Sequence, residues 1–245
     1  MSSTFHGITP GVAFGKPGPF AALVAAGSSL LTGLVSWWDL DEESGVRADS
    51  VIASGNDLTD NNTVLYAAGK IGNAASHVAA QTENLSKAST IFPTSYHVAG
   101  WIKPTTVAGT IHFFDCGGAW PNTVQVAIAI NGGKIQATIG DGTGFVQTNS
   151  TTGPSAGVWN FFDVSYDEST KKTSVSLNNE EPVVGSALSN TADRTSATLY
   201  LGCFLDGSSF DYGGEMDLVG IWSRVLTADE RTELYNAGSG LDYPF

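Results

Sequence analysis

Between Asp49 and Asp57 the chain carries two carboxylates, the Asn56 amide and a backbone loosened by Gly55. That set of oxygens suits a hard cation such as Ca²⁺. The same residues serve as turn formers, with Asp49 and Asn56 bonding nearby backbone. Two further stretches combine aromatic rings with polar groups: Trp120-Pro121-Asn122, and Asp206 to Tyr212 with Phe210 and Asp211 between. Sugars are held by apolar platforms with a few placed polar groups, so Trp120, Asn122, Asp206, Phe210, Asp211 and Tyr212 are candidate carbohydrate contacts. The alternative is that Trp120 and Tyr212 only plug sheet edges.

Catalytic patterns are missing. His6, His77, His97 and His112 are far apart in the chain, and no serine stands in a Gly-x-Ser-x-Gly elbow. Asp41-Glu42-Glu43 reads as a solvated turn, and no paired acid and base is evident. Cys116 and Cys203 lack the spacing of a zinc site and read as small buried thiols or as one bridge. The expectation is a protein that is not an enzyme.

The elements that position these residues are strands. Short alternating runs cover Leu34–Leu40, Tyr96–Ile102, Ile111–Asp115, Val124–Ile130, Lys134–Ile139, Val158–Tyr166, Thr173–Leu177, Thr198–Cys203 and Glu215–Trp222. Asn131-Gly132-Gly133 is a hairpin signal, and Asn178-Asn179 closes another turn. One short helix is expected after Thr227, whose hydroxyl and Glu230 make a capping box, with Gly238 as its stop. Trp37, Trp101, Trp159 and Trp222 fall within strand patterns and read as core.

Among 245 residues only 11 are Lys or Arg, and the formal net charge is −13. Scattered cations make no basic stripe, which excludes nucleic-acid binding. Residues 1–32 differ in style. Pro10, Pro17 and Pro19 sit among glycines, and Lys16 is the first lysine or arginine, so the segment does not read as a signal peptide. The apolar run from Phe20 to Trp38 is broken by Gly27-Ser28-Ser29 and Thr32-Gly33, which argues against a membrane span. The segment reads as an extended interaction arm, with Phe5, Phe14, Phe20, Leu23, Leu30 and Leu31 as assembly contacts. Residues 33–245 form the second unit.

Several motifs carry a resemblance. Trp37-Trp38-Asp39-Leu40-Asp41-Glu42, Gly69-Lys70-Ile71-Gly72-Asn73, Val98-Ala99-Gly100-Trp101-Ile102-Lys103-Pro104 and Gly214 to Thr227 occur in that order. Together they resemble the laminin-G-like, concanavalin A-like jelly-roll domain over about Gly33 to Ala237. The resemblance implies an all-β, two-sheet antiparallel jelly-roll sandwich with one short C-terminal helix and an extended N-terminal arm. It also implies a structural Ca²⁺ between the Asp49–Asp57 loop and Asp217, giving Asp49, Asn56, Asp57 and Asp217 as candidate ligands. The loop is longer here than the family's compact form.

Glucanases of this kind carry Glu-x-Asp-x-x-Glu. Here Glu215-Met216-Asp217 is followed by Gly220 where the second Glu would stand. Arm and lectin-like domain together are similar to phage virion surface proteins. That implies a non-catalytic, oligomeric structural and binding module on a capsid or tail. Its partners would be other structural proteins and glycans, not membranes. A secreted carbohydrate-binding module or glycosidase accessory domain is the extracellular alternative, and a glycoside hydrolase the third.

Overall fold

A computed structural model describes residues 28–51, 54–90 and 92–245. Its strands, in chain order, are β1 (Leu34–Trp38), β2 (Thr59–Asn61), β3 (Leu65–Ala68), β4 (Asn73–His77), β5 (Asn84–Thr90), β6 (Tyr96–Pro104), β7 (Thr110–Gly117) and β8 (Val124–Asn131). They continue as β9 (Lys134–Gly140), β10 (Phe145–Asn149), β11 (Asn160–Asp167), β12 (Lys172–Leu177), β13 (Val183–Ala187), β14 (Ala197–Leu201) and β15 (Gly214–Trp222). The helix α1 spans Ala228–Tyr235.

The strands form two antiparallel sheets packed face to face. One runs β13-β12-β11-β6-β15-β4-β3, with β1 also paired to β15, and the other β10-β9-β8-β7-β14-β5-β2. Each β8 and β9 side chain follows the strand period of two. Val126, Ile128, Ile130, Ile135, Ala137 and Ile139 enter the core between the sheets, against Phe113, Phe114, Phe162 and Val219. The intervening residues Ala127, Ala129, Gln136 and Thr138 therefore face outward from the seven-stranded sheet. The β8–β9 turn is the expected one: Asn131 opposes Lys134, and Gly132 and Gly133 take φ of 59° and 72°. Only glycine meets that geometry without a Cβ penalty.

A second apolar layer covers the outer face of the eight-stranded sheet. Trp37, Trp101, Phe161, Leu218 and Trp222 pack there with Leu226 and Leu234, and with Tyr243 and Phe245 of the tail. This explains why β6 and β15 are buried along both faces. The capping box is present at Thr227 and Glu230, as the spacing predicts, but the left-handed stop is Asn236 (φ 46°) rather than Gly238.

Leu30 corrects one expectation. It is 0% exposed in this second layer, and its carbonyl accepts from the Trp222 indole at 2.7 Å. Burying its side chain is worth about 1.5–3 kcal/mol to the domain itself, so it is not free for a neighbouring chain. The domain therefore includes the 3₁₀ turn Ser29–Leu31, ahead of the expected boundary at residue 33. Leu31 is 42% exposed. Phe5, Phe14, Phe20 and Leu23 lie outside the described residues. No helix among the described residues is long and apolar enough to cross a membrane.

Candidate functional site

The outward face of β7, β8, β9 and β10 forms a groove, and strand register decides what meets in it. One row across the sheet is His112, Ala129, Gln136 and Asn149; the next is Asp115, Ala127, Thr138 and Gln147. A cavity of about 380 Å³ opens there, lined by Thr110, His112, Trp120, Asn131, Gln136, Gln147, Phe204 and Phe210.

Its polar wall is already ordered. Gln136 Oε1 accepts from Asn131 Nδ2 at 3.0 Å and from Gln147 Nε2 at 3.2 Å, and Gln136 Nε2 donates to Asn149 Oδ1 at 3.0 Å. Thr110 Oγ1 donates to Asn131 Oδ1 at 3.2 Å. Side chains held this way lose little further freedom when they meet a ligand.

The apolar wall surrounds His112. Its ring lies 4.7 Å from Phe204, 5.7 Å from Phe210 and 5.8 Å from Trp120, centroid to centroid. Trp120 is 43% exposed and Phe210 54%, so both present ring surface to solvent. A β-bulge in β7 places His112 and Asp115 on one side, because register shifts between His112 and Phe114 and both Phe113 and Phe114 turn inward. His112 Nδ1 stands 2.7 Å from Asp115 Oδ2, while Asp115 Oδ1 accepts from the Ile128 amide at 3.1 Å. Burial pushes the Asp115 carboxyl up, and the His112 contact opposes that shift. With the Asp115 carboxylate accepting, Nδ1 carries a proton, and Nε2 is the ring nitrogen left for another partner.

Of the six expected sugar contacts, the structure brings two together, Trp120 and Phe210. Tyr212 is corrected: it is 0% exposed, and its hydroxyl donates to the Glu215 carbonyl at 2.9 Å. Asp206 folds its own loop, accepting from the Ser208 and Ser209 amides at 2.9 Å each and from Ser209 Oγ at 2.6 Å. Those bonds, the Ser209 hydroxyl first, hold its carboxyl below the usual range. Burial raises the Asp211 carboxyl. The Asn122 carbonyl accepts from Gly142 N at 2.7 Å, and neither Asp211 nor Asn122 forms part of the cavity wall. Sequence reasoning missed Phe204, His112 and the amides. The alternation Asn131, Gln136, Thr138 around the Gly-Gly turn was the available signal for the amides.

The expected calcium ligands do not converge. Asp49 Oδ1 accepts from the Trp37 and Val51 amides at 3.0 and 2.9 Å, and its Oδ2 from Ser54 Oγ at 2.6 Å. Asp57 accepts from Asp49 N at 2.9 Å, and Asn56 Nδ2 donates to Ser36 Oγ at 2.8 Å. Asp217 instead accepts from the Lys70 and Ile71 amides at 2.6 and 3.1 Å, in the β3–β4 turn. Among the described residues no three His, Cys, Asp or Glu side chains gather as metal ligands. These four residues do not fit one Ca²⁺ shell, because Asp49 and Asp57 are bonded within their own loop and Asp217 is held at the β3–β4 turn.

Asp217 Oδ1 is buried without a partner, and burial pushes this carboxyl up to about 8. The two cysteines are free and buried; burial pushes Cys116 up to about 12 and raises Cys203 as well. Gly220 also has a packing reason: a Cβ there would lie 2.6 Å from Trp222 and 2.7 Å from Trp37. Glu215, Asp217 and Gly220 all belong to the eight-stranded sheet, away from the groove.

Most of the sequence that builds these two sheets matches a family model. The model describes the concanavalin A-like lectin/glucanases superfamily and matches residues 72–230. The chain belongs to this superfamily.

Superfamily membership accords with three solved structures that share its fold. Domain 4 of AbnA, a GH43 extracellular arabinanase from Geobacillus stearothermophilus, in complex with arabinotriose, is 21% identical with a TM-score of 0.65, covering 82% of this chain and 97% of that one. The binding domain of Paraclostridial Mosquitocidal Protein 1 is 13% identical with a TM-score of 0.68, over 84% of this chain and 52% of that one. A Trypanosoma rangeli sialidase in complex with 2,3-difluorosialic acid is 13% identical with a TM-score of 0.60, over 86% of this chain and 34% of that one. The present chain thus spans about half of the toxin domain and a third of the sialidase. A search of curated proteins returns no match.

Proposed function

We propose that the chain is a non-catalytic glycan-binding module whose ligand lies in the groove on the seven-stranded sheet. The observation that carries this is one cavity wall uniting exposed rings of Trp120 and Phe210 with the ordered amides of Asn131, Gln136 and Gln147. Flat rings cover the CH faces of a sugar, and amides can both donate to and accept from its hydroxyls. Domain 4 of the arabinanase, seen with arabinotriose, supports the reading by its shared fold. A pair of carboxylates, which glycoside hydrolysis needs, is not part of the wall.

The module is displayed from a larger assembly of structural proteins, such as a virion surface, through the residues that precede Ser28. Supporting this, Ser28 Oγ donates to Glu233 of α1 at 2.9 Å, on the face opposite the groove. Attachment there leaves the groove open outward. A glycan array probed with the full-length chain tests the binding reading. Retention that disappears in Trp120→Ala, with the melting temperature unchanged, supports it. No retention, or retention indifferent to Trp120→Ala, contradicts it.

A further inference from the structure

We infer that the groove takes an uncharged oligosaccharide about three sugar units long, laid across β7, β8, β9 and β10; this rests on the glycan-binding reading above, with the span of about 14 Å following from three steps of about 4.8 Å between neighbouring strands. The path is the cavity wall, to which β7 gives Thr110 and His112, β8 gives Asn131, β9 gives Gln136 and β10 gives Gln147. At one end stand the rings around His112; at the other, the Gln136–Asn149 and Gln147–Thr138 contacts at 3.0 and 3.2 Å. A chain of sugars can stack at the β7 end and spend its hydroxyls on amides further along.

Charge sets the class. The protein carries a formal net charge of −13, so an acidic sugar approaches against the field of the whole molecule. On arrival it would meet no guanidinium or ammonium in the cavity wall, which is amide, hydroxyl, imidazole and aromatic ring. Asp115, the carboxylate beneath that wall, is fully buried and has both oxygens engaged by His112 and Ile128. Lys134 lies opposite Asn131 at the hairpin end and is exposed, outside the wall. One solvated lysine offers little to a carboxylate or sulfate. His112 is 5% exposed and its Nδ1 is engaged by Asp115, so Nε2 is the ring nitrogen left for a ligand hydroxyl.

Calorimetric titration of the full-length chain tests both parts. The probes are size series of arabino-, xylo-, manno- and cello-oligosaccharides, set against oligogalacturonides of matched length at low and physiological salt. At least one neutral series should bind, with affinity rising about tenfold or more from one unit to three and then levelling. The acidic series should bind about tenfold more weakly or not at all, and Lys134→Ala should leave neutral binding unchanged. Acidic chains binding as well as neutral ones, with loss on Lys134→Ala, overturn the uncharged class while leaving glycan binding intact. A single sugar binding as tightly as a trimer overturns the length. Silence from every neutral and acidic series overturns the glycan-binding reading and this inference together.

Discussion

At the scale of single residues, Trp120 and Asp217 have separable roles. Trp120 offers ring surface beside His112, and its loss exposes no core. Trp120→Ala should weaken binding of a neutral oligosaccharide by about 1–2 kcal/mol, with the melting temperature held, as titration and calorimetry will read. Asp217 is a stability residue. Its folded value of about 8 lies above the ordinary carboxyl value of 3.8, so its protonated form favours folding at low pH and that contribution is lost as pH rises towards 8. His77 has the opposite slope: burial lowers it from 6.5 to about 4, so its contribution falls away only as pH drops below 6.5. Between pH 6.5 and 8 the decline should therefore come from Asp217. Denaturant melts of Asp217→Asn across that window should show a flatter profile than the native chain. An unchanged slope contradicts this assignment.

At the scale of elements, α1 and the turn before β1 act as a lid on the outer face of the eight-stranded sheet. Arg224 bridges them, donating to Glu230 at 2.7 Å through both terminal nitrogens and to the Thr32 and Ser29 carbonyls at 2.7 and 2.9 Å. The Arg224 bonds outweigh burial, which pushes the Glu230 carboxyl up, and together with the Thr227 amide they bring it down to about 2. Beneath, Asp163 stands 3.3 Å from His97 and from Arg231. Burial pushes the Asp163 carboxyl up, but those two contacts prevail and hold it below the usual range.

Thr227→Ala should cost about 1 kcal/mol through loss of the cap. Leu30→Ala should cost about 2–5 kcal/mol, because it empties a site under Trp222. Chemical denaturation reads both. A shortened chain should therefore begin no later than Ser28; starting at Gly33 should unfold the lid as well as remove the preceding residues.

At the scale of the whole molecule, two faces divide the work: a sealed one that packs the turn before β1, α1 and the C-terminal tail, and an open one that carries the groove. How much of this was legible in the sequence follows from how local each signal is. Strands β6, β8, β9, β11, β12 and β15 announce themselves by alternation and by turns such as Gly132-Gly133, and the capping box marks where α1 begins. Strands β2, β3 and β5 are short or mostly polar and exist through their pairing, so no periodicity marks them.

The groove was half legible. Trp120 and Phe210 stand out as rings in polar loops, but His112 and Asp115 meet only because a bulge puts positions three apart on one side. Gln136 and Gln147 meet only through the β9–β10 register. Asp217 misled because residue type was visible and the sheet it belongs to was not.

The most direct measurement of the central claim is amide and side-chain chemical-shift mapping of the full-length chain with a neutral oligosaccharide that binds. The account predicts shifts concentrated at the Trp120 indole and at the side-chain amides of Asn131, Gln136 and Gln147. Shifts gathered instead around α1 and the outer face of the eight-stranded sheet would contradict it.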